Sequence, residues 1–113
     1  MRIRGLVSFL AAVLISGFVS FSAQAEVFSG KDFLTWERKN QSFYIHTSIG
    51  MAALVVGQTS EKQAECIDAW YFDDEENGIN FILETMRQYP EYHPRGIILS
   101  VMEKQCGRFI YKQ

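Results

Sequence analysis

From Phe33 to Val55 the apolar positions recur at helical spacing: Phe33, Trp36, Phe43, Tyr44, Thr47, Met51, Leu54 and Val55, with Asn40 as a gap. Ser29 can cap the start, and Asp32 sits where a first-turn acid favours the helix dipole. No proline intervenes before Gly57, a fitting residue just past a helix end. The pattern predicts one long helix over about residues 30–57, with a kink near Gly50. His46, Gly50, Ala53 and Gly57 share one edge of it, and the glycines predict close approach of another element there.

A polar connection follows from Gln58 to Gln63. Ser60 and Gln63 form a capping box for a short helix over Ala64–Ala69. Trp70, Tyr71 and Phe72 show no clear period. Asp73, Asp74, Glu75, Glu76 and Asn77 lack the alternate oxygen positions and glycine of a calcium loop, so they read as an acidic first turn. The helix they open carries Ile79, Ile82, Leu83 and Met86 on one face and stops before Tyr89-Pro90. Pro94 suits the first position of a last helix, marked by Ile97, Ile98, Val101 and Met102 and closed by Gly107. Phe109 and Tyr111 extend the packing beyond it. The expected fold is all-α, a small bundle of three main helices plus a short one. Its short connections favour antiparallel neighbours.

The first 25 residues have another character. Arg2 and Arg4 precede an uncharged apolar run, Leu6 to Phe21, and Ala23-Gln24-Ala25 is a small-x-small cleavage site. This is the form of a secretory signal peptide, too short in its apolar part for a comfortable membrane span. The mature chain is expected to begin at Glu26 as a single domain in the bacterial periplasm, with no membrane insertion after cleavage. Cleavage removes two arginines and no acid, taking the formal charge from −2 to −4. Such a chain has no basic stripe for nucleic acid.

Cys66 and Cys106 are the only two cysteines, and in a small exported domain two cysteines most often form one disulfide. A Cys–His nucleophile with His46 or His93 and a zinc site of the four residues are the alternatives. The second lacks the close ligand pairs zinc sites show. Asp68 and Glu103 could form a carboxylate pair, but nothing in the sequence brings them together. No metalloprotease, phosphate-loop or nucleophile-elbow motif occurs, and no cofactor or metal is implied. The mature chain does carry thirteen Phe, Trp and Tyr. Trp70, Tyr71, Tyr89, Tyr92 and His93, at two bends, are the candidate partner-binding residues, since aromatics on a rigid scaffold anchor protein contacts.

In order along the chain, GKDFL, FYIHTSIGMAALV, ECI, a helix ending QYPEYHP, and GIILSVMEKQCG resemble the Rap/Tai type of immunity protein. The resemblance spans about residues 30–108. It implies a small periplasmic helical protein that blocks a cell-wall amidase effector of type VI secretion by stoichiometric binding, not an enzyme. Members often carry a further cysteine pair in the first helix; here Trp36, Glu37, Ser42 and Phe43 occupy that region. A weaker resemblance is to acid-stress periplasmic chaperones of the HdeA type, which share the Asp-Phe-Leu start, the leader and the single disulfide. The expected partner is another protein, with a second copy of the chain as a further candidate.

Overall fold

The computed structural model describes residues 28–110, so the leader, the cleavage site and Tyr111 lie outside the described residues. The described residues form an all-helical bundle. Its elements are α1 (Gly30–Phe33), α2 (Arg38–Gly57), α3 (Glu61–Ile67), a π-turn (Asp68–Phe72), α4 (Glu75–Gln88) and α5 (Pro94–Cys106). Helices α2, α4 and α5 are the three long members, and α1 and α3 are short. Helix α5 lies at the centre, packed against α2, α3 and α4.

The predicted helix over 30–57 is in fact two. Ser29 caps α1 as expected, and Asp32 returns the bond to make a reciprocal capping box. Leu34 to Glu37 then turn, and α2 starts afresh at Arg38. Docking explains the break. The Gly30 and Lys31 N–H groups donate to the Tyr92 and Pro90 carbonyls, at 2.7 and 2.9 Å, pinning α1 to the 89–93 loop. The Phe33 carbonyl at the broken end accepts from the buried Gln41 amide, at 3.1 Å. A buried polar group is thereby satisfied, which is what makes the break tolerable.

Helix α2 also buries a different stripe from the one its aromatics suggest. Gln41, Ile45, Ile49 and Val56 face the core. Phe43, Met51, Leu54 and Val55 face out. The helix runs through Gly50 unbroken. A Cβ on Gly50 would meet only the Phe72 ring edge, at 4.0 Å, so that glycine permits no close approach. The edge itself is correctly placed: Gly57 lies over Ala64 of α3, and His46 against Phe72.

The remaining helices follow their patterns. Ser60 caps α3 by accepting from the Gln63 N–H, but the expected capping box is only half made, because the Gln63 side chain turns to the tail instead. Ile79, Ile82, Leu83 and Met86 of α4 and Ile97, Ile98, Val101 and Met102 of α5 are all buried. Pro94 occupies the first turn of α5, and Gly107 ends it at a φ of 92°, a value that favours glycine. Cys66 and Cys106 are bonded, with Cα atoms 5.7 Å apart. Beside them the Gln63 amide donates to the carbonyls of Gly107 and Arg108, at 3.2 and 2.9 Å. The Phe109 N–H donates to Glu103, at 3.2 Å, and its ring closes the core. One junction therefore fastens α3, the end of α5 and the tail.

Two glycines in helices give opposite expectations. A Cβ on Gly78 would stand 2.8 Å from Cδ1 of the buried Tyr71 ring. Gly78→Ala should therefore cost about 1–3 kcal/mol, the usual range for overpacking. A Cβ on Gly96 would meet nothing within 4 Å. Gly96→Ala should stabilise by about 0.4–1 kcal/mol, chiefly by restricting the unfolded chain. Urea midpoints of the two variants check both signs.

Candidate functional site

The π-turn decides where the first aromatic cluster goes. Its wider winding, closed by Asp73 N–H to the Asp68 carbonyl at 3.1 Å, sends three successive aromatics different ways. Tyr71 goes inward and is fully buried. Trp70 is half-buried, edge-on to Phe81 at 5.9 Å. Phe72 is half-buried, edge-on to His46 at 5.3 Å. Tyr71 therefore belongs to the core and offers a partner nothing, and Trp70 is only partly accessible.

The Tyr71 hydroxyl has no hydrogen-bond partner among the described residues. Burial pushes its pKa up to about 12, and the neighbouring Glu75 carboxylate pushes the same way. In the unfolded chain the phenol ionises near pH 10. The protonated phenol thus contributes stability that is complete below pH 10 and lost between pH 10 and about 12. Tyr71→Phe should remove an orphaned polar atom and keep the ring. We expect it to stabilise by about 1–2 kcal/mol at pH 8. It should also flatten the loss of stability above pH 10, which urea melts across pH 8–11.5 would show.

The second aromatic cluster is accessible. Tyr89 and Tyr92 are exposed on the proline-braced loop, their rings 6.1 Å apart. His93 is exposed too, but its Nδ1 accepts from the Arg95 N–H at 3.1 Å, so it caps α5. Behind it Phe28, Phe33, Trp36 and Tyr44 pack ring against ring, with the Arg95 guanidinium 5.5 Å from the Tyr44 ring centre.

The arrangements that could do chemistry are incomplete. His46 Nδ1 stands 3.4 Å from a Glu75 carboxylate oxygen, a base and its orienting acid. Ser42 shares a small pocket of about 210 Å³ with them, but no hydrogen bond joins it to His46. Glu103 is engaged by the tail. Both cysteines are in the disulfide, so a thiolate nucleophile and a Cys-ligated metal are ruled out together. Among the described residues no three His, Cys, Asp or Glu come close enough to hold a metal ion, and no helix is long and apolar enough to cross a membrane.

Among the described residues, one unassigned feature is a surface that the periodicity did not flag. From Asn40 to Ser60 the chain carries no Asp, Glu, Lys or Arg. This covers nearly all of α2, yet Phe43, Met51, Leu54 and Val55 are 58–70 % exposed. A helix apolar on every side is normally covered on every side. The absence of charge over 21 residues was the signal available in the sequence. Beside this face lies a groove of about 950 Å³ between α2 and α5, closed at one end by Phe109 and Ile110. No protein-family model matches the chain, and no curated protein or solved structure matches it significantly.

Proposed function

We propose that this protein acts by stoichiometric binding to another exported protein, without turnover. One observation carries the reading: the charge-free, solvent-facing side of α2, with Phe43, Met51, Leu54 and Val55 on a disulfide-fastened scaffold. Contiguous exposed apolar surface marks interaction sites. A preformed helix face avoids the ordering cost that a loop would incur on binding. Tyr89 and Tyr92 form a second exposed patch, and Asp73, Asp74 and Glu91 are exposed acids able to speed encounter with a basic partner.

Within that class, the resemblance to Rap/Tai immunity proteins favours a secreted cell-wall amidase as the partner, met in the periplasm by the form starting at Glu26. An HdeA-type chaperone needs its apolar surface hidden until acid opens the fold. Here the apolar face of α2 is already exposed in the folded protein, which favours a dedicated binder. The test is a titration of the mature, oxidised protein into purified type VI amidase effectors, with peptidoglycan hydrolysis as readout. We expect complete inhibition at one equivalent of one effector. No inhibition or complex at micromolar protein, together with suppressed aggregation of unrelated proteins at pH 3, would replace this reading with the chaperone.

A further inference from the structure

Resting on that protein-binding reading, we propose that the groove between α2 and α5 receives an amphipathic helix of the partner, apolar stripe downward and an acidic residue over Arg95. The walls are Ser48, Met51, Ala52 and Val55 from α2 and Leu99 from α5, with Ile110 at the end. Arg95 is the only charged residue among those lining the groove. No carboxylate lies within ion-pair distance of it among the described residues.

Four of the polar side chains of the lining are already engaged. The Thr47 hydroxyl donates to the Phe43 carbonyl at 2.9 Å, and the Thr59 hydroxyl to Val56 at 3.3 Å. The Gln58 amide reaches the Leu54 carbonyl at 3.5 Å, and Gln63 is committed to the tail. An extended peptide laid here would leave nearly all of its own N–H and C=O groups without partners. The occupant must bring a satisfied backbone, as a helix does, or have none, as an acyl chain does.

Size decides between those two. Thr47 to Thr59 spans about 18 Å at ~1.5 Å per residue. A volume of about 950 Å³ spread over that length gives a trough about 8 Å wide. A helix with side chains is ~10–12 Å across, so its body would lie along the mouth of the trough while one stripe of its side chains fills it. A hydrocarbon chain, ~4–5 Å across at van der Waals contact, would rattle in it. Charge separates a foreign helix from a second copy of this chain. The matching face of a second copy, Asn40 to Ser60, has no carboxylate to offer Arg95. Helix-in-groove docking with anchors at i, i+3, i+4 and i+7 is an established mode, and three to four turns would fill this trough.

The probe is a stapled helical peptide of about fourteen residues, with leucines at those spacings and a glutamate in its first turn. It is titrated into ¹⁵N-labelled mature protein. We expect amide shifts confined to Ser48–Val55 and Arg95–Met102. Replacing the peptide glutamate by glutamine should weaken binding about fivefold, and by lysine more. Arg95→Glu should invert that preference, and Ala52→Trp should block the groove. Shifts centred on Tyr89 and Tyr92, no saturable shifts, displacement of the peptide by laurate, or self-association abolished by Ala52→Trp would each overturn the proposal. If Ala52→Trp unfolds the chain, the Arg95 charge reversal still decides. If Arg95→Glu and Ala52→Trp leave amidase inhibition intact while substitutions at Phe43 and Leu54 remove it, the groove proposal falls and the binding function stands.

Discussion

Cys66→Ala, or reduction of the native protein, should lower the stability by about 2–5 kcal/mol. The bond joins residues 40 apart and closes about half of the folded chain between them. In the chain-entropy model a loop of that size stabilises by about 4 kcal/mol. A domain this small holds on the order of 5–10 kcal/mol in all, so the loss is a large share. The loss should also be localised first. Helix α3 has seven residues, too few to persist alone, and its only buried side chain is Ile67. Without the bond, α3 and the π-turn keep the Gln63 clamp and the Tyr71 ring as their main hold on the bundle. Reduced protein should therefore be cut by trypsin at Lys62 before it unfolds globally. An unchanged urea midpoint on reduction would refute the assignment of the staple as a principal source of stability.

The helices whose outer faces are charged were the ones legible in the sequence. In α4, Glu76, Asn80, Glu84 and Arg87 mark the wet side, so Ile79, Ile82, Leu83 and Met86 could only be the buried one, and they are. Helix α2 offers no such contrast. Ile45, Ile49 and Val56 make one apolar stripe, and Phe43, Met51 and Leu54 make another of similar strength. Periodicity fixes the repeat but not the phase when both sides are apolar. The aromatics drew the choice to the wrong side. The break at Leu34–Glu37 was hidden for a related reason. No glycine or proline announces it, and its cause is tertiary: α1 bonds to a loop some 60 residues away, and Gln41 closes the gap. The disulfide and the N-caps at Ser29 and Ser60 were readable because each depends on few residues and a local rule. Of the aromatic candidates, Tyr89 and Tyr92 are placed as a contact surface requires. Tyr71 is not, because only the π-turn determines which of three consecutive rings faces inward.

The double substitution Met51→Lys/Leu54→Lys should abolish tight partner binding and leave the fold as stable as before. Both side chains point into solvent, 64 % and 69 % exposed, so neither leaves a cavity when replaced. Lysine is a good helix former, and α2 has no other lysine between Lys39 and the helix end to repel it. The stability change should stay within about 0.5 kcal/mol, the usual range for surface sites. Binding is another matter. Central apolar anchors cost about 2 kcal/mol or more each when lost, so the pair should cost on the order of a hundredfold to a thousandfold in Kd. The new charges add a penalty, because an ammonium pressed against an apolar partner surface is desolvated without a counter-ion. Overlapping melts with a collapsed affinity for the partner effector, measured by calorimetry, is the expected pair of results. The same two measurements on Tyr89→Ala/Tyr92→Ala give the contrast, since those rings are also exposed, on a different part of the surface. If the tyrosine pair abolishes binding and the α2 pair does not, the contact lies on the proline-braced loop. The uncharged run from Asn40 to Ser60 would then need another cover.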